Sequence, residues 1–186
     1  MTMNRRDALK SVMLMMGGTM VGATAILTGC APEHQIEGLN FTPEDIAFLD
    51  EIGEAIIPTT ETPGAKAAGI GAFMVMMVKD TYEADQQKVF VDGLNSLRKD
   101  FKKANENDFM EATVEQRSAY LTEMYRTHMN SESKDPAMIN MVKDLTILGY
   151  FTSEIGATQA LRYVEVPGKY DPCVEYQNGD KAFALG

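Results

Sequence analysis

The chain has 186 residues and a formal charge of −10, with 45% apolar residues, two cysteines, two histidines and no tryptophan. That length can bury a core for one domain with an extension. The acidic balance excludes nucleic acid, whose phosphates call for a basic face, and two cysteines cannot build a disulfide framework, an all-cysteine zinc site or an iron–sulfur ligand set.

Residues 1–29 read as a cleaved signal peptide. Arg5, Arg6, Asp7 and Lys10 precede an apolar run from Ser11 to Leu27, and Leu27-Thr28-Gly29-Cys30 follows. The run contains Gly17, Gly18 and Gly22 and is marginal in length for a membrane span, the competing reading. Arg5 and Arg6, with Leu9 and Lys10 behind them, resemble the twin-arginine export motif, although Ala8 stands where a bulky apolar residue is usual. Leu-Thr-Gly-Cys resembles the lipobox of bacterial lipoproteins, which implies cleavage before Cys30 and acylation of its thiol. Each buried methylene contributes about 0.8 kcal/mol, so two or three acyl chains hold a protein durably on a membrane. Loss of residues 1–29 removes three basic residues and one acid, moving the formal charge from −10 to −12. Anionic headgroups repel so acidic a body, which leaves lipid as the means of attachment.

Residues 30–40 read as a polar tether. Thr42-Pro43-Glu44-Asp45 then starts a helix: a hydroxyl for the N-cap, Pro at the first helical position, and acids at the positive end of the dipole. Ile46, Leu49, Ile52 and Ile56 keep helical spacing, with Asp50, Glu51 and Glu54 mainly on the other face, and Pro58 ends the run. After a loop to Gly64, a second helix is expected over 66–80. Its centre, Phe73 to Val78, is apolar on most sides and should lie deep in a bundle or under a partner. A third helix over 84–104 aligns Phe90, Leu94, Leu97 and Phe101. A fourth begins at Thr113, which with Gln116 forms a capping box, and carries Leu121, Met124, Tyr125 and His128. Past a charged loop at 130–136, residues 136–162 look helical, with Met138, Met141, Leu145 and Leu148 in register and a division near Gly149 and Thr152. The expected fold is all-α: a compact bundle of five to six helices over residues 41–163, then an extended tail over 164–186.

No residue pattern announces catalysis. Gly69-Ile70-Gly71 begins like a dinucleotide fingerprint, but Met74 stands at the third glycine position and no strand precedes it. His34 falls in the tether and His128 at a helix end, without metal-ligand spacing. Glu44 with Asp45, and Glu111 with Glu115, are acid pairs better read as solvated helix faces. The methionines of the second helix read as adaptable core or interface. If Cys30 is acylated, Cys173 lacks a partner within the chain; in an oxidising compartment that leaves a buried thiol or a disulfide to another polypeptide.

Several segments together resemble the gluconate 2-dehydrogenase subunit 3 family: Phe41-Thr42, Ala55-Ile56-Ile57-Pro58, Thr62-Pro63-Gly64-Ala65 and Ala68-Gly69-Ile70, then Gly149-Tyr150-Phe151-Thr152-Ser153-Glu154, and Pro167-Gly168, Tyr170 and Pro172-Cys173. The lipobox departs from the ordinary cleavage site of many relatives. The resemblance implies a small subunit with no catalytic residue, cofactor or metal of its own. It also implies a separate FAD-dependent (GMC-type) large subunit that oxidises a sugar or polyol, and an electron-transfer component such as a cytochrome c. On this reading the twin-arginine leader serves the partner, which acquires FAD in the cytoplasm and must cross the membrane folded, and Cys30 then holds the complex in the periplasm or cell envelope. The competing reading is an autonomous helical envelope lipoprotein, recognisable by an enclosed cavity lined by Tyr82, Tyr120 or Tyr150. A third, a hydrolase using acids, would need two carboxylates converging in a cleft.

Overall fold

Thr42 opens the first helix as its sequence predicts. Its hydroxyl accepts from the Asp45 amide, and the Asp45 carboxylate accepts in return from the Thr42 amide at 2.9 Å. The computed structural model describes residues 39–131, 137–166, 168 and 173–184. Within these residues the fold is all-helical: α1 (Pro43–Ile56), a 3₁₀ turn (Ala65–Ala68), α2 (Ile70–Thr81), α3 (Ala84–Asn105), α4 (Val114–Met129), α5 (Met138–Thr152) and a π turn (Gly156–Ala160). Thr113 and Gln116 form the expected capping box of α4. The segments read as a signal peptide and, for the most part, as a tether lie outside the described residues.

The second helix starts at Ile70 rather than at the expected residue 66. Gly69 adopts a left-handed conformation (φ 67°), which ends the 3₁₀ turn and lets α2 set off in a new direction at Ile70. Nor is α2 buried all round: Ile70, Met74, Val75 and Val78 face the core, whereas Met76 is 50% exposed. The deep position belongs to α5, which touches every other helix and buries Met138, Ile139, Met141, Val142, Leu145 and Tyr150. Leu148, expected in that register, faces outward instead, because Gly149 and Thr146 take the inward positions. The division of the last helical stretch falls at Ser153, beyond Thr152, with Gly149 inside the helix.

The core is continued by a residue from a loop. Phe109, between α3 and α4, is 1% exposed and stands edge-on to Phe48 and Phe101, each at 4.9 Å between centroids; Phe101 in turn meets Tyr120 at 5.0 Å. Burying a side chain of this size contributes about 1.5–3 kcal/mol. Among the described residues, those near position 183 pair with the chain just past the π turn. The Arg162 amide donates to the Ala182 carbonyl at 2.8 Å, the Ala184 amide donates to the Arg162 carbonyl at 3.0 Å, and the Arg162 guanidinium lies 4.6 Å from the Phe183 ring centre.

Candidate partner-binding site

The acids Asp50, Glu51 and Glu54, expected on a solvated face of α1, each hold part of the chain that follows. Glu54 accepts from the Thr59 amide (2.8 Å), the Thr59 hydroxyl (2.6 Å) and the Lys66 amide (3.0 Å). Glu51 is shared between Lys66 and Arg117, and burial, which would raise its pKa, is outweighed by these two cations, so the carboxyl sits below its ordinary value. Asp50 accepts from the Gly71 amide at 2.6 Å and so supplies α2 with a cap its own sequence lacks; burial nonetheless raises its pKa, against the opposing pull of that amide. Segment 57–70 is therefore a hydrogen-bonded knot, closed by the Ala65 amide donating to the Ile57 carbonyl at 2.9 Å.

The knot joins the other segment singled out in the sequence. The Tyr150 hydroxyl donates to the Pro63 carbonyl at 2.6 Å, across 87 positions, while its ring is 1% exposed. At Gly149 a Cβ would come within 2.5 Å of the Phe73 ring, so α2 and α5 meet there at close range. These segments build a scaffold, and their outer side carries Leu148 and Phe151, 47% and 39% exposed.

The chemistry of this region is that of positioning. The Gly71 amide already serves a carboxylate, and a Cβ on Gly71 would lie 2.2 Å from the Ile46 carbonyl oxygen. The glycine pair thus accommodates a close helix approach, and Asp50 fills the position where a pyrophosphate would need a free donor. Asp45, of the pair with Glu44, is raised by burial but held below its ordinary value by Thr42 and by Arg98, 2.6 Å away. Glu111 and Glu115 are both exposed; the latter is lowered by its own amide and the Thr113 side chain. Among the described residues no three His, Cys, Asp or Glu side chains gather around a common point that would suit a metal ion.

Two open recesses flank α4. One, of about 640 Å³, lies between the Pro58–Thr59 turn and Ser118, Thr122 and Arg126; the other, of about 190 Å³, reaches Tyr125 and Lys143. Tyr82, Tyr120 and Tyr150 line neither, and Tyr82 and Tyr120 have their pKa values raised by burial.

Of the residues expected to act, Arg5, Arg6 and Cys30 lie outside the described residues, whereas Cys173 is exposed and carries a free thiol. Sequence reasoning missed Arg117. It is 5% exposed, its Nε donates to the Phe109 carbonyl at 2.7 Å and its second terminal nitrogen to the Met110 carbonyl at 2.8 Å, besides the pair with Glu51. The available signal was an arginine one turn into α4, on the side later taken by Leu121. No helix among the described residues is long and apolar enough to cross a membrane.

A family model described as gluconate 2-dehydrogenase subunit 3 matches residues 43–168. No curated protein and no solved structure matches the chain.

Proposed function

Because the chain belongs to the gluconate 2-dehydrogenase subunit 3 family, we propose that it is the cofactor-free escort and anchor of an FAD-dependent, GMC-type sugar or polyol dehydrogenase. The family match itself makes it a subunit of a gluconate 2-dehydrogenase complex, and so implies partner dehydrogenase subunits. The finer reading rests on the order of signals in the sequence: twin arginines at Arg5 and Arg6, then Cys30 at a lipobox, then a helical body whose motif segments serve structure. A route that carries folded cargo suits a flavoprotein that must bind FAD before export. The large subunit, binding this chain in the cytoplasm, crosses with it. The acyl groups on Cys30 then retain the pair at the envelope beside an electron-transfer subunit, a cytochrome c or its equivalent. Cys173, exposed in the tail, is the thiol available for a disulfide to the partner.

The observation that carries the proposal is the family match over residues 43–168, whose motif segments are joined by the hydrogen bond from the Tyr150 hydroxyl to the Pro63 carbonyl. Replacing Arg5 and Arg6 by Lys in the native host tests it. The flavoprotein should accumulate in the cytoplasmic fraction, and its normal appearance in the periplasm would overturn the escort role. With Cys30→Ser, the exported complex should leave the membrane fraction. With Cys173→Ser, a larger species on non-reducing gels should disappear; an unchanged band would remove the disulfide.

A further inference from the structure

On an acidic protein, two helix stretches carry no charged residue, with Lys79 and Asp144 at their borders. Residues 70–78 of α2 and 145–153 of α5 contain no Asp, Glu, Lys or Arg. The two helices meet where Phe73 lies on Gly149. On these stretches Met76 is 50% exposed, Leu148 47%, Ile147 43% and Phe151 39%. Phe73 and Met77, both partly buried, lie on the same helix within one turn of Met76. Ile147, Leu148 and Phe151 share the outward side of α5, and Met76 stands out from the helix joined to it, so four large apolar side chains are left uncovered among the described residues; exposed apolar patches mark association sites.

Charge decides among the occupants. Residues 39–186 hold 14 Lys plus Arg against 24 Asp plus Glu, a net charge of −10. A second copy brings the same excess of negative charge to the contact, and an anionic lipid surface repels it in the same way. A different protein with an apolar hollow and a neutral or basic border meets no such barrier and complements the acidic surroundings. We infer that the ridge formed by Met76, Ile147, Leu148 and Phe151 is the surface on which the dehydrogenase large subunit docks; this rests on the reading that the chain is the accessory subunit of such an enzyme.

The position also fits the build of the molecule. Three of the ridge's four residues sit on α5, the helix in contact with all the others, beside Tyr150, whose hydroxyl donates to the Pro63 carbonyl.

The test uses the full chain, affinity-purified from detergent-solubilised native membranes, with the co-eluting FAD-bearing chain measured by its flavin. The double variant Leu148→Glu, Phe151→Glu and the single variant Met76→Glu are compared with wild type and with Met129→Glu, an exposed methionine at the end of α4 that serves as a control. The ridge variants should retain at least tenfold less flavoprotein, with thermal unfolding unchanged, while Met129→Glu retains it fully. Full retention by both ridge variants, with wild type still bringing down the flavoprotein, would overturn the ridge and leave the accessory role standing. Absence of the flavoprotein from the wild-type eluate would overturn both. A wild-type homodimer on sizing that the ridge variants break would assign the ridge to a second copy and overturn the inference. Binding of unlipidated Cys30→Ser protein to phosphatidylglycerol vesicles, lost in the ridge variants, would do so in favour of lipid.

Discussion

Arg117 on α4 and Glu51 on α1 meet across 66 positions of sequence, and the guanidinium gives two further donors to the carbonyls of Phe109 and Met110. One side chain thus ties two helices to the loop that plugs the core. Removing it leaves a carboxylate and two carbonyls short of partners in a half-dry site. Arg117→Met should lower stability by about 3 kcal/mol, the usual scale for breaking a buried pair. Arg117→Lys should recover little, because a single ammonium cannot serve three acceptors in a planar fork. Urea unfolding of the purified proteins checks this, and a lysine variant as stable as wild type would refute it.

The carboxylates of α1 divide in their response to acid. Asp45 and Glu51 lie below their ordinary values of 3.8 and 4.5, so below those values the unfolded chain binds protons more readily and stability is lost. Asp50 lies above 3.8; between its raised value and 3.8 the folded form takes up the proton first, and acidification stabilises. Melting temperatures should therefore fall on acidification, with Asp50 opposing the loss from Asp45 and Glu51. Asp50→Asn should steepen the fall, and Glu51→Gln should flatten it while lowering stability at neutral pH.

Tyr150→Phe removes one oxygen and leaves the Pro63 carbonyl without its donor. The expected cost is about 1–2 kcal/mol, the loss of one hydrogen bond with part of a desolvation penalty. Faster protease cleavage in segment 57–70, with helix content retained, would locate the damage in the knot.

Gly71→Ala places a methyl group where the Ile46 carbonyl oxygen stands at 2.2 Å. Backbone cannot swing aside as a side chain does, so α1 and α2 must separate. A loss of about 1–3 kcal/mol in thermal or urea unfolding is expected. Ala72→Ser, at an exposed position on the same helix, should be nearly neutral.

The helices themselves were legible where local signals agreed. The Thr42 and Thr113 caps name their own starts, and the stripe Phe90, Leu94, Leu97 and Phe101 is buried as its spacing requires. The sequence misleads where one residue serves a distant partner. Asp50, Glu51 and Glu54 look like solvated acids because their donors, Gly71, Arg117, Lys66 and Thr59, come from later elements. Leu148 looks like core because its spacing matches Leu145, yet Thr146 and Gly149, the latter packed under Phe73, take the inward positions. Phe109 gives no periodic signal, being a loop residue that Phe48, Phe101 and Arg117 surround from distant elements. The ordered series of motif segments was visible as a resemblance; its mechanical role, the Tyr150 link to Pro63, required the fold.

The borrowed cap on α2 has a consequence for the order of assembly. A helix of 12 residues is too short to persist alone in water, and this one finds its first-turn acceptor 21 residues upstream on Asp50. An excised peptide of residues 70–81 should therefore be largely coil. In native-state hydrogen exchange the Gly71 amide should open together with α1 rather than with the turns nearest to it. The second helix is, in this sense, templated by the first.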